Sequence, residues 1–376
     1  MARMIADVDF PFHIETAESF ASSGRITMPH FLLQVLLGSV VASRVASAQQ
    51  VALFFFQAIY AVTAALVCWY LIGAGKASGA GKAGGAVVGV LLAIAVLMSA
   101  PILPRGEPDL YLIGYFPANV YHNPTMVLAR PLLVLALACA VAAVTRVGPV
   151  AAREVILLAA PVVLLGLAKP NYLGCLVPAL GLAAISEYAG ATDRSRTLSW
   201  VRVGVVGGTA VCTLGAMWVL YRALDLGQGA GVTLAPLAVI GHYAEVDALS
   251  IARRLTASLA FPIGVTLLWP RAAWGDPGMR IAWAGMIVGI LISYLLAEEG
   301  DRLYDGNFQW TGQMAAFVLF VAAAAFVTHH VTRTGLRAGT VARALAVSAV
   351  LALHVESGIR HAVVKVDPSR WLAFWT

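Results

Sequence analysis

The sequence predicts an all-α, polytopic membrane bundle of about ten transmembrane helices, and three observations carry that reading. Hydrophobic residues make up 60% of the 376-residue chain and charged residues only 12%, with a mean hydropathy of +0.83. That leaves too few polar side chains to solvate a soluble surface. The apolar residues fall in runs near the ~20 that cross a ~30 Å hydrocarbon core. These runs do not alternate polar with apolar residues, which excludes a barrel and leaves helices, whose backbones satisfy themselves in lipid.

The first segment, Met1 to Pro29, contains no span. Pro11 suits the first turn of a helix and Gly24 its end. A short amphipathic helix therefore follows Asp9, turning Phe12, Phe20 and Ala21 toward the bilayer and leaving His13, Glu15 and Glu18 partly wet. Phe31 to Ala48 is apolar but interrupted by Gln34, Ser39, Ser43 and Arg44, the pattern of an interfacial or re-entrant helix. Residues 1–50 are thus an external N-terminal segment with interfacial helices. Spans follow at 51–73, 86–103, 129–145, 154–168, 171–188, 201–221, 254–270, 279–297, 311–328 and 340–356, giving a bundle over 51–356 and a short tail over 357–376. The stretch from Glu154 to Tyr188 would be ~52 Å long as one helix, too long for one crossing, so Lys169-Pro170 marks the turn of a hairpin. Lys169 at that turn either snorkels to the interface or binds a lipid-linked phosphate.

Basic residues give the orientation, because they concentrate in short cytoplasmic loops. Lys76 and Lys82, Arg146 and Arg153, Arg194 and Arg196, Arg271 and Arg280, and Arg333, Arg337 and Arg343 fall on alternate loops, hence on one face. The opposite, external face receives Asp7, Asp9, Glu15, Glu18, Glu107, Asp109, Asp225, Glu245, Asp247, Glu298, Glu299, Asp301 and Asp305. Topology accounts for the net charge of +6, so nucleic acid is excluded as a partner and membrane lipids remain. Cys68, Cys139, Cys175 and Cys212 lie inside spans without metal or disulfide spacing and read as packing residues. The Gly73 to Gly85 stretch lacks the pattern of a phosphate-binding loop.

Three external loops carry the candidate chemistry. In the first, Asp7, Asp9 and His13 crowd the membrane surface, and His30 follows Pro29. The second contains Tyr111, Tyr115 and the run Tyr121-His122-Asn123-Pro124-Thr125. The tyrosines suit interfacial anchoring, whereas His122 and Asn123 offer the paired donors and acceptors that recognise a polyhydroxylated ligand. The third, Glu298 to Trp310, sets Arg302 among carboxylates and includes Asp301, Asp305 and Asn307. Its oxygens could hold a hard divalent cation, although the spacing matches no calcium loop, and an arginine beside Trp310 reads as a sugar or phosphate clamp.

The order of an acidic external segment with Asp9-Phe10-Pro11-Phe12-His13-Ile14, Gly24, Pro29-His30-Phe31-Leu32 and a span from Val51 resembles the start of GT-C integral membrane glycosyltransferases. The Lys169-Pro170 hairpin and the acidic loop before a late span are similar as well. The resemblance implies inverting transfer of a sugar from a polyprenyl-phosphate-linked donor to a glycan or lipid acceptor hydroxyl of the cell envelope, at the outer face of a bacterial plasma membrane. It implies Asp9 as base, Lys169 and Arg302 on the phosphate side, and His13, His30, His122 and Asn123 lining the sugar or acceptor pocket, with Asp301, Asp305 and Asn307 as further substrate contacts. That family has one more span ahead of its first external loop. An external N-terminus without an export signal either translocates behind the span at 51–73 or follows a further helix upstream of Met1; the second is the expectation, and it agrees with the family's extra span. A polymerase using lipid-linked oligosaccharides, a transporter or a non-catalytic scaffold are the alternatives.

Overall fold

In the computed structural model the described residues are 9–28, 31–76, 82–103, 113–119, 123–190, 200–223, 231–335 and 337–364. Two short helices, α1 (Asp9–Ser23) and α2 (Leu32–Val41), precede the bundle. The bundle comprises α3 (Ala48–Lys76), α4 (Lys82–Leu97), α5 (Pro124–Thr145), α6 (Ala152–Ala168), α7 (Leu173–Gly190) and α8 (Trp200–Ala223). After β1 (Val232–Leu234) come α9 (Ala238–Tyr243), α10 (Ala248–Leu268), α11 (Pro270–Gly275), α12 (Pro277–Leu295), β2 (Leu296–Glu298), α13 (Gln309–Thr334) and α14 (Ala338–Val364). Among the described residues each of the ten apolar runs contains a helix, and eight helices are long and apolar enough to cross a membrane. The chain is an integral membrane helical protein. The shorter two, α4 and α6, have 16 and 17 residues.

Helix α13 is the axis of the bundle. Its apolar window is 83% buried and that of α5 78%, against 22% for α8 and 17% for α14, which places those two on the rim. Small residues explain the centrality: Ala322 to Ala325 give α13 a narrow waist, and small surfaces are what let helices approach in lipid. At the closest approach, a Cβ on Gly289 of α12 would stand 3.0 Å from the Ala315 Cβ and 3.2 Å from the Gly312 Cα.

The run predicted as one span over 86–103 is helical only to Leu97, and Ser99 to Leu103 continue as an extended segment inside the bundle. A non-helical backbone among apolar helices requires partners, and α10 and α14 supply them. The Ala100 and Ile102 amides donate to the carbonyls of His354 (3.0 Å) and Ala257 (2.9 Å). His354, fully buried, closes the arrangement: its Nε2 accepts from the Phe261 amide at 3.4 Å, so its Nδ1 donates to the Ala100 carbonyl at 2.7 Å. The helix predicted over 340–356 accordingly runs on to Val364, because Ser357 donates to the Pro101 carbonyl (2.5 Å) and Arg360 to that of Leu103 (2.7 Å).

Gly358 makes this contact possible, since a Cβ there would collide with the Met98 carbonyl. Gly358→Val is expected to cost about 1–3 kcal/mol, the usual penalty for overpacking, read as a lowered thermal midpoint in detergent. An unchanged midpoint would show that α14 parts from Ser99 to Leu103 without cost.

A second non-helical stretch, Ile113 to Asn119, also enters the bundle and is buried over most of its length. Its polar groups are met by side chains: Gln309 accepts from the Gly114 amide (3.3 Å), Tyr294 donates to the Gly114 carbonyl (3.0 Å), and Ser258 accepts from the Phe116 amide (2.9 Å). Arg254, 6% exposed, donates to the Glu245 carbonyl at 3.1 Å and stands over the Tyr115 ring.

Candidate functional site

Pro11 falls in the first turn of α1, where a missing amide hydrogen costs nothing, and Gly24 ends the helix at φ +68° with its amide on the Phe20 carbonyl (2.8 Å). Helix α2 folds back on α1. Gly38 permits the approach, since a Cβ there would lie 2.7 Å from the Ala17 carbonyl oxygen. Gln34, 1% exposed, stitches the pair by donating to the carbonyls of Thr16 (3.1 Å) and Arg25 (3.3 Å) and accepting from the Thr27 amide (3.1 Å). The interruption that marked Phe31 to Ala48 as non-spanning is thus the polar pin of a helical hairpin.

The hairpin docks through Phe10, Ile14 and Ala17 onto a cluster that includes Val51, Phe56, Val127 and Ala168, with Phe10 edge-on to Phe56 at 4.9 Å. Docking buries His13, expected to be partly wet but only 6% exposed. The correction follows from helical periodicity: Phe10, Ile14 and Ala17 form the apolar stripe, and His13 sits inside it. Phe12, Glu15 and Glu18 remain exposed.

At the start of α5, Asn123 caps the helix and Pro124 follows as its first residue. The Asn123 Oδ1 accepts from the Met126 amide at 3.1 Å and from the Thr125 hydroxyl at 2.7 Å, while its Nδ2 donates to the Asp9 Oδ2 at 3.3 Å. Lys169, in the extended turn between α6 and α7, donates to the Thr125 Oγ1 at 3.2 Å and lies 5.0 Å from the centre of the Trp310 ring. The hairpin at Lys169-Pro170 is present as predicted. Its lysine does not snorkel: at 3% exposure it is enclosed by groups from α1, α5 and α13. Burial pushes the Lys169 ammonium down to about 8, against an opposing pull from Asp9. Burial also drives His13 down to about 4, with the Lys169 charge adding to it, so the imidazole is neutral; among the described residues its Nδ1 has no hydrogen-bond partner.

The third loop reaches the same place from the other side. Asn171 donates to the Asn307 carbonyl at 3.0 Å, and the Asn307 Nδ2 donates to the Glu298 Oε2 at 2.6 Å. Glu298 is fixed by the antiparallel pairing of β1 with β2, Val232 opposite Glu298, a ribbon the apolar runs do not announce. Arg302 pairs with Glu298 (3.2 Å) and Asp305 (2.9 Å), and the Asp305 hydrogen bond raises the guanidinium above its usual range. Arg302, Asp301 and Asp305 are exposed, and the ion pairs of Arg302 run to Glu298 and Asp305. Tyr304 stacks on His242 of α9 at 4.0 Å. Among the described residues no three His, Cys, Asp or Glu gather as metal ligands, and Arg302 and Asn307 engage both Glu298 oxygens and one of Asp305.

Of the predicted site residues, Asp9, His13, Asn123 and Lys169 come together, joined by Trp310, while Asn307 stands beside them through Asn171. His30 and His122 lie outside the described residues. Thr125 and Asn171 were not anticipated as site residues. Their signal was adjacency, since each follows a proline that turns the chain next to Asn123 or Lys169. The assembly therefore offers a carboxylate, an ammonium, an amide, a neutral imidazole and an indole at one end of the bundle. Compared with known protein families, curated proteins and solved structures, the chain matches none.

Proposed function

We propose that this chain is an inverting membrane glycosyltransferase, moving a sugar from a polyprenyl-phosphate-linked donor to an acceptor hydroxyl of a cell-envelope glycan or lipid. The reading places the site at the outer face of a bacterial plasma membrane. The observation that carries it is the meeting of Asp9 from the N-terminal helix with Asn123, Thr125 and Lys169 beside Trp310. A carboxylate and an ammonium brought together from distant segments supply the two groups the reaction requires.

In the step itself, Asp9 takes the proton of the acceptor hydroxyl as its oxygen bonds to the anomeric carbon from the face opposite the phosphate. The bond from that carbon to the phosphate oxygen breaks, and the electron pair leaves on the lipid phosphate. Lys169 offsets the charge developing there. Trp310 presents a flat apolar surface to the sugar ring, and the neutral imidazole of His13 provides a hydrogen bond. Arg302 is the second phosphate-side cation, and Asp301, Asp305 and Asn307 are further substrate contacts. Because Lys169 and His13 are enclosed, substrate enters when α1 shifts from its seat on α3 and α5.

The test is transfer of labelled sugar from a polyprenyl-phosphate donor by the protein in liposomes, with the product's anomeric configuration read by NMR. Inversion is expected. Retention rules out direct attack on the donor, and absence of transfer from a panel of polyprenyl-phosphate hexose and pentose donors removes the reading.

A further inference from the structure

The hydrogen bonds between Lys169 and Asp9 have only one possible direction. An ammonium only donates, so Lys169 donates a hydrogen bond to the Thr125 Oγ1 at 3.2 Å. The single Thr125 hydrogen then points to the Asn123 Oδ1 at 2.7 Å. The Met126 amide, donating to the same Oδ1 at 3.1 Å, fixes which end of the Asn123 amide is oxygen. The Nδ2 is left facing the Asp9 Oδ2 at 3.3 Å, where it donates. Every group in this chain has its orientation set by the next.

The geometry points to Thr125 and Asn123 as positioning residues that tie the Asp9 carboxylate to the Lys169 ammonium, aiming Asp9 while Lys169 carries its charge. This rests on the assignment of Asp9 and Lys169 given above and recasts Asn123, expected as a sugar ligand, as part of the tether. Hydrogen bonds in series polarise one another in a low-dielectric interior, so the carboxylate feels the ammonium through the tether as well as across space. The titratable groups coupled to Lys169 among the described residues are Asp9 and His13, both from α1, and His13 stays neutral over the working range.

Thr125→Val keeps the shape and cuts the tether, while Thr125→Ser keeps the hydroxyl. The first measurement needs no enzymatic activity: acetic anhydride labelling of Lys169 across pH, read by mass spectrometry in the wild type, Thr125→Val, Asp9→Asn and the double variant. Thr125→Val and Asp9→Asn should each lower the labelling midpoint by about one pH unit, because each withdraws a group that favours the charged lysine. The double variant should fall little further than the larger single one, and Thr125→Ser should match the wild type. Additive single effects, an unmoved midpoint in Thr125→Val, or a Thr125→Ser that behaves like valine overturns the tether. The second measurement is sugar transfer, where Thr125→Val should lower kcat about tenfold or more with KM little changed and Thr125→Ser should restore it. A wild type without transfer sinks the glycosyltransferase reading alone, and the labelling cycle still decides the tether.

Discussion

Asp9→Asn is expected to lower sugar transfer by about 10²–10⁴-fold, the range for loss of a positioned general base, without unfolding the protein. The substitution keeps the shape and leaves an oxygen for the Asn123 Nδ2 that now bonds Asp9 at 3.3 Å, so α1 stays docked through Phe10, Ile14 and Ala17. On its proposed role as base, kcat should fall while donor binding persists. Asp7→Asn is the control and should change transfer by less than about twofold, as expected for weak surface electrostatics. Transfer within a few fold of wild type in Asp9→Asn places the base elsewhere, with Asp301 and Asp305 next to be tested.

Lys169→Met is expected to cost about 10²–10³-fold in transfer, the scale for losing one preorganised group that stabilises leaving-group charge. Stability should be unchanged or higher. Burial lowers the lysine from its ordinary range to about 8, so the folded state holds that proton less tightly than the unfolded chain does. Protonation therefore works against folding, and a methionine of similar volume removes the cost. The same value sets a pH dependence. Below about 8 the ammonium is present and transfer runs; as pH rises through about 8 it deprotonates, and the rate should fall. Lys169→Met should abolish that alkaline limb. A limb that persists in the variant assigns it to another group.

Apolar periodicity located every long helix but misplaced most of their first turns. The spans predicted to begin at 129, 254, 279 and 311 begin at Pro124, Ala248, Pro277 and Gln309. Two of the missing turns are themselves partly apolar, with Met126, Val127 and Leu128 in one and Leu249 and Ile251 in the other, and three of the four starts carry legible signals. Asn123-Pro124 and Asp276-Pro277 pair a cap with a first-turn proline, and Asp247 with Ser250 forms a reciprocal capping box. Asn123 shows what this costs in functional reading, for a residue taken as a sugar ligand spends its oxygen on the Met126 amide. The candidate site was legible as a set of loops rich in titratable groups. Which members meet depended on Gly38, Gln34 and the Phe10 stripe, which decide where α1 lands. The non-helical stretches at Ser99 to Leu103 and Ile113 to Asn119 were illegible, because their partners His354, Ser357, Ser258 and Gln309 lie far off in sequence.

The placement of α13 sets the order in which this protein can be completed in a cell. It packs on α3, α4, α5, α10, α12 and α14, yet five of those six helices leave the ribosome before it. Until Gln309 to Thr334 emerges, the earlier helices can only stand around a vacant seam, exposing Gly289 and the inward faces of α3 and α5 to lipid or to the insertion machinery. Assembly is therefore closed from the inside by a late arrival, and a pause in translation just after α12 would strand the most vulnerable intermediate of its biogenesis.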